Sequence, residues 1–147
     1  MSLENLLKIG QIKAHAPDKQ HIAKLLAAAA RNLHDAGIKE NSTETRFDAA
    51  YKTIMQSAMV ALQARGYRPD TNRPGHHATA IQSLPLTLGI SNDRTIVLDK
   101  LRAKRNLSDY TGADLDEVSA KTCMAEAKAL LAEVKGWLRR NHPELVE

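Results

Sequence analysis

The sequence predicts an all-α fold, an antiparallel up-and-down helical bundle of four main helices with one or two short ones, in a single domain spanning 1–147. Three observations carry that prediction. Hydrophobic residues make up 43% of the chain but aromatics only 3%, so a core must be built from Ala, Leu, Ile, Val and Met, most of which favour helices. Apolar residues recur at three- and four-residue spacing over long windows bounded by capping signals. The length of 147 residues suits one well-buried domain and not two.

Leu3, Leu6, Leu7 and Gly10 form a short stripe, predicting a first helix of a few turns that ends before Ala16-Pro17 and acts as a lid or brace. From Asp18 the series Ile22, Leu25, Leu26, Ala29, Leu33, Ala36 keeps helical period, and Gly37 stands where a C-terminal cap belongs. The third helix opens at Asn41-Ser42-Thr43-Glu44, which offers several N-caps. Its apolar face is broad: Phe47, Tyr51, Ile54, Ala58 and Ala61 form one stripe, with Met55, Met59 and Leu62 beside it. Contact with partners on two sides, and hence a central position, follows. Tyr51 reads as a core tyrosine whose hydroxyl finds a single partner at the edge of the core.

Gly66 to Gly75, rich in Pro, Gly and turn formers, is the longest break. His76 and His77 begin a further helix through Ile81 and Leu84 that ends or kinks at Pro85. The chain restarts at Ser91-Asn92 and runs helically to Gly112. A last helix is expected from Ala113-Asp114, with Ala120, Cys123, Ala127, Leu130, Val134 and Trp137 as its packing face, ending before Pro143. The single Cys123 lies within that face and reads as a small core residue, with no cation beside it to activate a thiolate.

Charge is unevenly placed. The net charge is +4, and residues 64–105 hold eight cations against three anions, whereas the stretch after Arg105 is net acidic. The mid-chain excess can attract phosphate but lacks the density of a duplex-binding surface. No apolar run approaches membrane-spanning length, no secretory signal leads the chain, and one cysteine excludes an internal disulfide, so a cytoplasmic protein without membrane contact is expected. Glycine-rich phosphate loops, nucleophile elbows and zinc-protease pairs are missing, so no cofactor is called for. Adjacent His76 and His77 diverge by about 100° on a helix and lack a Cys or carboxylate at ligand spacing, so no metal site is expected.

Candidate chemistry therefore rests on Arg105, which shares one helical stripe with Leu98 and Leu101 and is aimed at the core. A guanidinium taken out of water needs a partner or an oxygen-rich ligand. Two readings fit: a site that meets an anion, or a brace that holds a neighbouring helix. Arg102, Arg68, His76 and His77 are the candidate substrate-binding residues around it.

Arg105-Asn106 near the end of a late helix, with a polar ring residue five positions on, resembles the HEPN superfamily. Arg46-Phe47-Asp48-Ala49-Ala50-Tyr51, Gly66-Tyr67-Arg68-Pro69 and Gly75-His76-His77 are similar to a bacterial branch of it. The resemblance implies a homodimer that brings two arginine motifs together across a cleft, and metal-independent ribonuclease activity in its active members, often toxins. It makes Arg105 the stabiliser of the phosphate, Asn106 the residue that orients it, and Tyr110 the occupant of the position where active members carry His. A phenol with an ordinary pKa near 10 is a poor base at neutral pH. Binding of RNA or nucleotide phosphate is thus expected ahead of cleavage, unless His76 or His77 supplies an imidazole. Five residues also turn a helix by about 140°, so convergence of Tyr110 with Arg105 requires the helix to loosen near Ser108-Asp109. The alternatives are a structural or interaction protein, and a toxin-antitoxin partner of a small nucleotidyltransferase.

Overall fold

The computed structural model describes residues 1–146 and is all-α apart from one two-stranded ribbon. The elements are α1 (Leu3–Lys8), β1 (Ile12–Ala14), α2 (Lys19–Ala36), α3 (Thr43–Ala64), β2 (Tyr67–Pro69), α4 (His76–Gln82), α5 (Leu84–Thr87), α6 (Asn92–Thr111), α7 (Glu117–Asn141) and a 3₁₀ turn (Pro143–Leu145). The long helices start where the sequence supplies caps. Asp18, Ser42, Ser91 and Asp116 each accept a hydrogen bond from a first-turn backbone N–H, a contact worth about 1 kcal/mol each.

α3 is the central helix, as its broad apolar face predicts. Phe47, Ala50, Tyr51, Ile54, Ala58, Val60, Ala61 and Leu62 are all essentially inaccessible. It packs along α2 on one side and α7 on the other. Thr53 Oγ1 donates to Ala29 O at 2.9 Å and Arg46 Nε to Ala36 O at 2.8 Å, which sets α2 antiparallel to α3. Cys123 lies against Phe47 O while Val60, Ala61 and Ala64 share a cluster with Val134 and Leu138, so α7 runs parallel to α3. α6 is antiparallel to α7, held by Arg94 to Glu133 at 2.8 Å and to Glu126 at 3.5 Å, and at its other end by Lys104 to Ser119. Successive long helices therefore alternate in direction, as expected of an up-and-down bundle.

Three features depart from the sequence expectations. β1 pairs antiparallel with β2, Ile12 opposite Pro69 and Ala14 opposite Tyr67, where only a helix end and a loop are expected. Strands of three residues are too short to show a period, and their pairing spans more than fifty positions. The helix expected to run through Leu84 ends two residues early, at Gln82, so Pro85 lies in the first turn of α5, where its missing N–H costs nothing. α7 begins at Glu117 and not at Ala113, because Asp116 Oδ1 takes the Ser119 N–H at 2.7 Å. Gly112, at φ +70°, closes α6 in the left-handed conformation that favours glycine. α1 acts as the expected brace: Leu3 and Leu6 pack with Ile12 and Leu62 under the end of α3.

Candidate functional site

α6 touches α3 only slightly, and α4 packs against both. The result is an open concavity of about 410 Å³ between α4 and the C-terminal half of α6, lined by Gly75, His76, His77, Ala78, Arg102, Arg105, Asn106, Asp109 and Tyr110. Six of the seven residues singled out from the sequence thus meet in one place. Helical spacing explains the α6 contribution, since 102, 105, 106, 109 and 110 fall on one side of the helix. The α4 contribution follows from Gly75, whose φ of +80° turns the chain so that the two histidines open the helix facing α6.

Arg105 continues the buried stripe of Leu98 and Leu101, and its side chain is 24% exposed. Its guanidinium carbon lies 4.9 Å from the centroid of the Tyr51 ring, a cation–π contact. Asp48 Oδ1 stands 3.5 Å from Nε and Asp109 Oδ2 3.9 Å from Nη1. Neither makes an aligned hydrogen bond, and Nε is buried without an acceptor. Arg102 is differently placed. Its Nε donates to Asp99 at 2.8 Å, and that bond is the main reason its pKa is raised. Of the two arginines in the concavity, Arg105 is the one whose hydrogen-bonding capacity is less used.

Tyr51 forms the floor. It is 1% exposed, and burial pushes its pKa up to about 12 despite the opposing influence of Arg105 and Arg102. The hydroxyl lies 3.1 Å from His77 Nδ1, the single edge partner expected of it. Burial, then His76, Arg105 and Arg102, lower the pKa of His77, so its ring is neutral at pH 7. A phenol that stays protonated can donate to Nδ1; in that tautomer the ring proton of His77 sits on Nε2, making the residue a donor and not a base. His76 packs edge-on against His77 with centroids 4.7 Å apart.

The remaining residues are placed less deeply. Asn106 is half-buried in the wall, and its amide makes no hydrogen bond among the described residues. Tyr110 is 89% exposed at the rim. α6 stays helical through Thr111, so the loosening required to bring Tyr110 over Arg105 does not occur. Arg68 stays away from the concavity, on β2, with Nη1 3.4 Å from Pro69 O; its place was decided by the ribbon, which the sequence does not reveal. Sequence reasoning missed Asp48 as a partner of Arg105. Its position three residues before Tyr51 and one after Phe47, at the edge of the α3 apolar face, is the only signal. Among the described residues no cluster of three His, Cys, Asp or Glu could hold a metal ion, and no helix is long and apolar enough to cross a membrane. No protein-family model matches the chain, and comparison with curated proteins finds no match.

Proposed function

We propose that the concavity between α4 and α6 binds a phosphate of RNA or of a nucleotide, in a homodimeric module of HEPN-like type. One observation carries the reading: the Arg105 guanidinium is fixed on the Tyr51 ring at the wall of an open concavity, and its ion pairs with Asp48 and Asp109 include no aligned hydrogen bond. An arginine so fixed loses little side-chain freedom on binding, and its donors suit the paired oxygens of a phosphate. Neutral His77 offers a further donor, and Asn106 an unused amide. Tyr110 at the rim is positioned for stacking on a base.

Support for a dimer comes from the outer side of α6. Ile96 (54% exposed) and Leu107 (57%) line up with Ala103 and Tyr110 at spacings of seven, four and three, the period of a seam between helices. Tyr110 belongs both to this stripe and to the concavity, so pairing of two α6 helices brings two sites together. Sedimentation velocity tests it: a dimer is expected for the native chain and a monomer for Leu107→Glu, while a monomeric native chain overturns this part of the reading.

For the site, binding of a labelled single-stranded RNA and of a nucleotide is measured at low salt for the native protein and for Arg105→Ala, alongside thermal melts. Loss of one or two charge-assisted hydrogen bonds predicts about a tenfold or greater drop in affinity. Equal binding by both proteins excludes the site. A second reading is favoured by the ion pair to Asp48 of α3: Arg105 as a brace between α6 and α3. That reading predicts a melt lowered by several degrees with RNA affinity unchanged. Cleavage that persists in chelator and fails in His76→Ala extends the proposal to metal-independent catalysis.

A further inference from the structure

A separate surface lies on the opposite side of α7. Whereas α3 packs closely with both α2 and α7, these two flanking helices touch each other far less. A long trough separates them. It comprises two concavities, of about 490 Å³ towards Gly37 and about 410 Å³ towards Leu145, which share Lys135. The α2 wall runs from Lys19 to Gly37, about 27 Å of helix, and small residues at Ala23 and Ala30 keep it shallow. Leu26, Leu33, Met124 and Leu131 supply the apolar floor.

The rim is cationic throughout. Lys128, Lys135 and Arg139 stand on the trough side of α7, with Lys19 on α2. No acidic residue lines either concavity among the described residues. Nor does any described carboxylate pair with Lys19, Lys128 or Lys135. α7 is sorted by charge: Glu126 and Glu133, seven apart, are taken up by Arg94 of α6, while the α7 residues that line the trough include no carboxylate among the described residues.

We infer that this trough docks an acidic amphipathic helix of a partner protein. An apolar floor open along five helical turns fits the apolar face of a helix laid in a groove. Cations distributed along the whole length match carboxylates repeated along that helix, whereas a lipid chain would need charge at one end only. The inference uses none of the residues of the α4–α6 concavity and stands or falls independently of it.

The probe is a fluorescein-labelled peptide of about 18 residues, one helix as long as the trough, with leucine along one face and glutamate flanking it. Fluorescence anisotropy is read for the native chain and for the double variant Lys128→Gln, Lys135→Gln, both surface changes that leave the core alone. Ala30→Trp, which fills the trough without altering charge, is the second variant. Binding in the micromolar range is expected, weakened about tenfold or more by either change, with a scrambled peptide of the same composition failing to bind. No binding by the amphipathic peptide, or equal binding by the scrambled one, overturns the proposal. So does oleate binding that the Gln variant abolishes while the peptide remains unbound, which would make the trough a lipid site.

Discussion

The Arg105 guanidinium rests on the face of Tyr51, with 4.9 Å between its central carbon and the ring centroid, while the hydroxyl of the same ring reaches His77 Nδ1 at 3.1 Å. One buried side chain thus joins the two walls of the concavity: its face holds α6 and its edge holds α4. The cation is kept near the surface by a residue that is itself fully enclosed.

Tyr51→Phe separates the two functions of that ring. The face remains, so the Arg105 contact persists. The hydroxyl is lost, leaving His77 Nδ1 to find water in a half-buried site. A destabilisation of about 1 kcal/mol is expected by urea unfolding, with RNA affinity reduced only as far as His77 becomes mobile. Tyr51→Ala removes the floor as well and should cost about 3–5 kcal/mol.

Asp109 competes for the guanidinium. Its carboxylate lies 3.9 Å from Arg105 Nη1 and lines the concavity, so a phosphate entering there meets a like charge. Asp109→Asn is expected to tighten binding of RNA or nucleotide by a few-fold to about tenfold, with little change in melting temperature, because the pair is partly exposed. Anisotropy titrations of the variant and the native chain, at two salt concentrations, check both parts. Unchanged affinity places the anion elsewhere.

The pH dependence of stability follows from His77. Its folded pKa lies below the ordinary 6.5, chiefly because of burial. As pH falls below about 6.5 the unfolded chain takes up this proton before the folded one does, so the folded state loses stability there, and nothing from this group changes above that range. Urea unfolding at a series of pH values should therefore show stability falling on acidification, with a shallower fall in His77→Gln. A bound phosphate, which favours the protonated ring, should reduce the loss.

Cys123 is predicted to be inert in the folded protein. Burial, assisted by Asp48 and Glu126, pushes its thiol pKa up to about 12, and the side chain is inaccessible. A disulfide reagent at neutral pH should label it only as fast as the chain opens. Rapid labelling of folded protein would show that α7 separates readily from α3.

Much of this was legible in the chain. Capping residues and three-four periodicity located α2, α3 and α6, and the double-width apolar face of α3 marked it as central, because a helix buried on two sides must be apolar on two sides. The inward aim of Arg105 and the edge partner of Tyr51 were readable for the same reason: helical phase is a local property. Asp48 shows where local reading ends. Nothing near it in sequence announces a guanidinium fifty-seven positions away.

The sequence by itself determined the helical class, the order and approximate extent of the long helices, and which side of each is apolar, since propensity, capping and periodicity act within a few residues. Only the tertiary structure decided that β1 and β2 pair, that Arg68 is drawn away with them, that α4 stands beside α6 so that His76 and His77 join Arg102 and Arg105, and that α2 and α7 leave a cationic trough between them. Those outcomes depend on which faces meet across long separations, and that is settled by burying the most apolar surface of the whole chain at once.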